Sequence, residues 1–246
     1  MSNNIAENIA AVKERIAIAA AKSGRAGGDV RLVAVSKTRS ADEIKTALEA
    51  GLCDFGENKV QEITSKYDIL RVFTKNSTKN RNIKWHMIGH LQRNKVKYIT
   101  DKVCMIHSVD SLKLAEEIDR RSSANGITMD VLLQVNAAAE ESKSGVAPGE
   151  VRRLAEDIVD RCGNIRIKGL MTIAPVAEAP DDVRVYFREV KSLYDTIGRE
   201  CKCERLEFDC LSMGMTHDFE VAVEEGANMV RVGTGIFGPR VYVQGS

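Results

Sequence analysis

The chain has 246 residues, close to the ~250 of a typical single α/β barrel, so length alone does not call for a division into domains. With 36 Lys and Arg against 35 Asp and Glu, the formal net charge of +1 excludes the sustained positive excess of a dedicated nucleic-acid binder or a polybasic membrane-surface protein. Apolar residues at 43% and charged residues at 29% are enough to fill a core and wet a surface, which excludes disorder throughout.

The six cysteines, at 53, 104, 162, 201, 203 and 210, form no Cys-x-x-Cys pair and have no His at zinc-ligand spacing. Neither a disulfide framework nor a structural zinc site fits, and Cys201-x-Cys203, the one close pair, is a poor metal site. Thiols in a reducing compartment are the expectation. No apolar run approaches the ~18 residues needed to cross a bilayer. Glu7, Lys13, Glu14 and Arg15 interrupt the N-terminal stretch, which is therefore no export signal; the expected location is the cytoplasm.

From the N-terminus, Ile5, Ile9, Val12 and Ile16 recur at the period of an amphipathic helix, predicted over 3–22 with Ser2 or Asn3 as its cap. Eight short apolar runs, most of them carrying β-branched residues, follow: VRLVAVSK from Val30, CDFGE from Cys53, IKWHMIG from Ile83, VCMIHSV from Val103, MDVLLQVN from Met129, IRIKGLMTIA from Ile165, LEFDCLSMG from Leu206 and MVRVGTGIFG from Met229. Helical patterns lie between them over 41–50, 58–70, 91–99, 111–124, 149–161, 181–200 and 217–225. Parallel strands need such crossovers, and near-continuous apolar strands suit a sheet covered by helices. The pattern predicts an α/β fold: a single (β/α)8 TIM-type barrel over 1–246, one domain, with an extra N-terminal helix. A doubly wound open sheet is the alternative, since alternation does not prove closure. The polar, basic stretch 74–82 has no interleaved aromatics and reads as a solvated loop.

Barrel chemistry sits at the C-terminal ends of strands, and three positions there stand out. Lys37 closes the first strand; desolvation would favour the neutral amine that attacks a carbonyl, although the same letters suit a lysine reaching solvent. Ser212-Met213-Gly214-Met215-Thr216 turns the seventh strand into a helix, with Gly214 allowing close backbone approach and Thr216 as a cap. Arg231-Val232-Gly233-Thr234-Gly235 ends the eighth, where Arg231 faces the barrel interior if Val230 and Val232 face the helices. Barrels often bind phosphate between the loops after strands seven and eight. An amine on strand one with a phosphate cradle there suits pyridoxal 5'-phosphate (PLP), whose aldehyde and phosphate lie at opposite ends of a ring.

Eight ordered blocks sharpen this: AVSK at 34–37, FGENKVQE at 55–62, WHMIGHLQRNK at 85–95, SVDS at 108–111, KSG at 143–145, GLMTIAP at 169–175, SMGMTHDFEVAV at 212–223 and RVGTGIFGPR at 231–240. Through them the chain resembles the pyridoxal phosphate homeostasis protein family, single-domain barrels related to the cofactor domain of alanine racemase. The resemblance implies that Lys37 forms a Schiff base with PLP and that Ser212, Gly233 and Thr234 hold the phosphate. Thr216, in the same turn as Gly214, stands where the family commonly has Ser and keeps the hydroxyl. Arg231 would face the pyridine nitrogen, weakening the ring as an electron sink. Asn58 matches the Asn beside the cofactor, whereas Lys59 replaces a frequent Tyr.

His86 and His90 are four apart but lie at a strand end, where they share no helical face, so a metal site is not expected; His86 reads as a packed or pocket-lining residue. His107 and His217 are expected to give supporting hydrogen bonds, and no Ser-His-Asp triad is spaced for. The implied function is a PLP carrier that buffers the cofactor or delivers it to apo PLP-dependent enzymes, without dedicated turnover. Self-association is expected to go no further than a weak dimer. The alternative is an amino-acid racemase-type enzyme, which needs a second acid/base group; six residues follow Arg240, and Tyr242 is the nearby candidate. A phosphometabolite enzyme using Lys37 for a substrate Schiff base is the third reading.

Overall fold

Short apolar strands whose neighbours run parallel cannot be joined by hairpins, and here each passes through a crossover to the next. The computed structural model describes residues 4–75, 82–138, 144–201 and 203–239. Its strands are β1 (Arg31–Val35), β2 (Asp54–Glu57), β3 (Lys84–Met87), β4 (Met105–Val109), β5 (Met129–Val135), β6 (Ile165–Thr172), β7 (Leu206–Ser212) and β8 (Met229–Val232). They form a closed barrel in sequence order. β8 pairs in parallel with β1, from Arg31 opposite Met229 to Ala34 opposite Val232, and this closure rules out the open sheet.

The α-helices are α1 (Ile5–Lys22), α2 (Ala41–Glu49), α3 (Val60–Lys75), α4 (Leu112–Ala124), α5 (Val151–Arg161), α6 (Arg184–Glu200), α7 (Phe219–Glu224) and α8 (Thr234–Phe237). Three sequence expectations need correction. Asn4, not Ser2 or Asn3, caps α1, its side chain accepting from Glu7 N at 3.3 Å. The stretch 91–99 forms a 3-10 helix, Arg93–Tyr98, because its few apolar anchors, Leu91, Val96 and Ile99, support only a short tight turn. α3 continues to Lys75, so Thr74 is a buried helical residue rather than loop. Residues 76–81, Lys143, Arg240 and Tyr242 lie outside the described residues.

Period-two alternation divides the core in two. Leu32, Ala34, Val230 and Val232 join the large apolar layer between strands and helices. Val33, Met105, Leu132, Met171, Cys210 and Met229 form a smaller cluster inside the barrel. α1 buries Ile5, Ile9, Val12 and Ile16 and is tied to the end of the chain by Asn8 Nδ2 donating to Ile236 O at 2.9 Å and by a two-pronged Arg15–Glu220 pair. The extra helix thus braces the elements around β8. No helix among the described residues is long and apolar enough to cross a membrane.

Candidate functional site

Lys37 emerges half-buried two residues beyond Val35, the end of β1. The residues on either side of it are pinned. Ser36 is buried; its hydroxyl donates to Glu57 Oε1 at 2.7 Å, and its carbonyl accepts from Lys66 Nζ at 2.9 Å. Thr38 N donates to Glu62 Oε2 at 2.6 Å. Lys66, projecting from α3, joins these contacts by also donating to Glu57 Oε1 at 2.8 Å and to Glu62 Oε2 at 2.9 Å, so that its three N–H groups have three acceptors. Burial pushes the Glu57 carboxyl above its usual range against the pull of Lys66 and Ser36, whereas Glu62 is held below it despite burial by the Thr38 amide and Lys66. Thr38 has φ of 64°, rare for a β-branched residue. Strained backbone therefore lies next to the lysine, fixed by a buried ion cluster.

The turns after β7 and β8 meet beside β1. Gly214 is buried with φ of 91°, and a Cβ there would lie 2.6 Å from the Ala222 methyl. A Cβ on Gly235 would meet Val232 Cγ1 at 2.9 Å and Thr216 Cγ2 at 3.4 Å. Gly233 packs over Val35, and its N–H donates to Thr216 Oγ1 at 3.3 Å. Thr216 is half-buried and Thr234 exposed. The Thr216 hydroxyl and the Gly233 amide thus meet next to the exposed Thr234, polar groups of the kind that hold an anion's oxygens.

Arg231 is buried and points into the barrel, as the outward Val230 and Val232 require. It donates to Ser212 Oγ at 2.7 Å and to Thr172 O at 2.8 Å. Burial brings its pKa down to about 10, which leaves it a cation at neutral pH. Ser212 differs here from the phosphate contact that the resemblance implies. It is the last residue of β7 and fully buried, and its hydroxyl is shared between Arg231 and His107 Nδ1 at 3.3 Å. In this structure Thr216 is the hydroxyl of that turn nearest the β8 glycines.

His107 and His86 contact each other through Nε2 and Nδ1 at 2.9 Å, and His86 Nε2 reaches Asp54 Oδ1 at 3.0 Å. Burial lowers both histidine pKa values, that of His107 well below 6.5, with His86 and Arg231 adding to the shift. As pH falls below 6.5, an unfolded chain binds protons that the buried pair refuses, so stability is full above that pH and declines as pH drops toward the pair's own pKa values. Urea unfolding at pH 7.5 and 5.5 is expected to show this loss, with a smaller pH slope in His107→Gln. An equal slope in that variant would contradict the neutral pair.

Asn58 and His90 border a cavity of ≈ 280 Å³ at the mouth, with Gln134, Asn136, Ser144 and Ile173 among its other walls. Lys59 is exposed in a neighbouring cavity of ≈ 530 Å³ with Gln92 and Lys95. His86 points into the barrel while His90 is exposed near Asp110, so the two do not converge. His217 is exposed beside Asp218. Sequence reading missed Lys66, whose only local signal is Glu62 four residues earlier, and the buried contacts of Asp54.

The model of the alanine racemase N-terminal domain matches residues 4–241. A "pyridoxal phosphate homeostasis protein" of Aquifex aeolicus is 44% identical over 97% of this chain and 100% of its own. A solved protein from Bifidobacterium adolescentis superposes with a TM-score of 0.87 at 40% identity, covering 95% of this chain and 94% of that one. PipY of Synechococcus elongatus PCC7942, solved with PLP bound, gives 0.79 at 32% identity over 95% of this chain and 100% of its own. The chain therefore belongs to the alanine racemase N-terminal domain family and, within it, to the pyridoxal phosphate homeostasis proteins.

Proposed function

We propose that this chain, as one barrel domain in the cytoplasm, holds pyridoxal 5'-phosphate covalently and reversibly on Lys37. It then buffers the cofactor or delivers it to apo enzymes that need it, without dedicated turnover. The observation that carries this reading is the placement of Lys37, the Thr216–Gly233 contact and the inward cation of Arg231 on or just beyond the adjoining strands β1, β7 and β8. The bare backbone of Gly233, beside a Gly235 where a Cβ would meet Val232 Cγ1 at 2.9 Å, fits a phosphate group. The naming of the homeostasis relatives and the PLP bound to PipY support it.

When bound, the cofactor supplies an aldehyde that condenses with an amine, losing one water, and the link is undone by hydrolysis or by transfer to another amine. The chain's own residues do the rest. Ser36 and Thr38, fixed through Glu57, Glu62 and Lys66, hold the backbone from which the Lys37 amine projects. Thr216, Thr234 and the Gly233 amide take the phosphate end. Arg231 offers only N–H donors, so a ring nitrogen facing it is kept an unprotonated acceptor and the electron sink is weak.

Two expectations follow. Thr216→Val and Thr234→Val keep volume but remove a hydroxyl, and each should weaken PLP more than unphosphorylated pyridoxal by about 1.5–3 kcal/mol, the worth of a hydrogen bond to a charged group; titrations showing equal losses for both ligands would refute the cradle. Carrier and racemase-type enzyme are separated by incubating the loaded protein with L-alanine in deuterium oxide. A carrier that holds no second base over the cofactor forfeits ~10²- to 10⁴-fold in rate, so for a carrier inversion over many cofactor equivalents should be negligible and unchanged in Tyr242→Phe. Fast multiple-turnover inversion, lost in that variant, would make the protein a racemase.

A further inference from the structure

Five polar side chains from five strands meet inside the barrel, and the function above uses only one of them. Asp54 opens β2, His86 and His107 sit mid-strand in β3 and β4, Ser212 ends β7, and Arg231 lies in β8. Their contacts form one file: Arg231 Nη1 to Ser212 Oγ at 2.7 Å, Ser212 Oγ to His107 Nδ1 at 3.3 Å, His107 Nε2 to His86 Nδ1 at 2.9 Å, and His86 Nε2 to Asp54 Oδ1 at 3.0 Å.

Chemistry allows the file one direction. The Asp54 carboxylate can only accept, so a neutral His86 carries its proton on Nε2 and offers a bare Nδ1 to His107. A neutral His107 then carries its proton on Nε2, and its bare Nδ1 takes the Ser212 hydrogen, while the Ser212 oxygen accepts from Arg231, which can only donate. We infer that Asp54 is a positioning residue for Arg231: as the terminal acceptor of this file, at the N-terminal end of the barrel, it fixes both histidine tautomers and thereby keeps the Ser212 hydrogen on His107, leaving the lone pairs of the Ser212 oxygen to Arg231. Only the consequence at the cofactor rests on the function proposed above; the file itself does not.

Without that acceptor, the His86 proton can move to Nδ1. His107 must then carry its own on Nδ1 and donate to Ser212 Oγ, so that the oxygen is shared between His107 and Arg231 and the Ser212 hydrogen leaves the file. Other groups leave the direction intact. Arg31 and Lys84 are cations near His86 and favour its neutral form, while Cys104 Sγ, 3.6 Å from His86 Nε2, donates to Trp85 O at 3.2 Å.

The test is long-range proton–nitrogen NMR on histidine-labelled protein without cofactor. Wild type should show His86 and His107 each as a single neutral tautomer protonated on Nε2. Asp54→Leu should populate the Nδ1-protonated form of both, and Asp54→Asn, whose amide oxygen still accepts, should restore the original. In protein loaded with PLP, Asp54→Leu should shift the visible absorption maximum and Asp54→Asn should return it. An imidazolium or an Nδ1-protonated tautomer in wild type overturns the inference whether or not any variant folds, as does Asp54→Leu with His107 unaltered. Correct tautomers in a wild-type protein that binds no PLP would overturn the proposed function and leave the file standing.

Discussion

Lys37→Ala is expected to abolish covalent PLP, seen as complete loss of the borohydride-sensitive visible band at saturating cofactor, while the melting temperature stays near that of wild type. The lysine lies past the last residue of β1, half-buried, so truncation leaves the strand pairing of β1 with β2 and β8 intact. What the alanine cannot replace is the nitrogen. Any residual binding would come from the phosphate cradle alone and leave no cofactor attached to the protein after reduction. Retention of the band in this variant would remove Lys37 from the site.

Lys66→Met should be the most destabilising single change near the site. Its ammonium is the cation beside Glu57, whose side chain is 0% exposed, and Lys66 itself is 11% exposed. Removing one partner of a buried pair leaves an uncompensated charge, at a cost of about 3–5 kcal/mol. For a chain of this size each kcal/mol lowers the melting temperature by roughly 2–4 °C, so a fall of about 6–20 °C is expected. Because Lys66 also holds the Ser36 carbonyl, PLP should bind more weakly at temperatures where the variant is folded. Adding Glu57→Gln should recover part of the stability by removing the stranded charge. A loss below about 1 kcal/mol would mean that the cluster contributes little net energy, as exposed pairs do.

The strands were legible because each is a short run with apolar residues followed by a crossover, and the inward direction of Arg231 followed from alternation with Val230 and Val232. Spacing along one chain could not tell the last residue of a strand from the first of a loop. Ser212 therefore reads as part of the phosphate turn, whereas it is the inward-facing end of β7, held by Arg231 and His107. Lys66 escaped notice for a different reason. Its local partner Glu62 looks like an ordinary surface pair, and only the packing of α3 on β1 and β2 brings Ser36 and Glu57 to the same ammonium. The Asp54–His86–His107 contacts likewise exist only once the barrel brings β2, β3 and β4 around one interior.

The central claim is that one lysine at the end of β1 holds the cofactor. Reducing the PLP-saturated wild-type protein with borohydride, digesting it and mapping the pyridoxyl group by mass spectrometry tests it directly. The account predicts a single modified residue, Lys37; modification of Lys59, Lys66 or any other lysine in its place, or no modification at saturation, would contradict it.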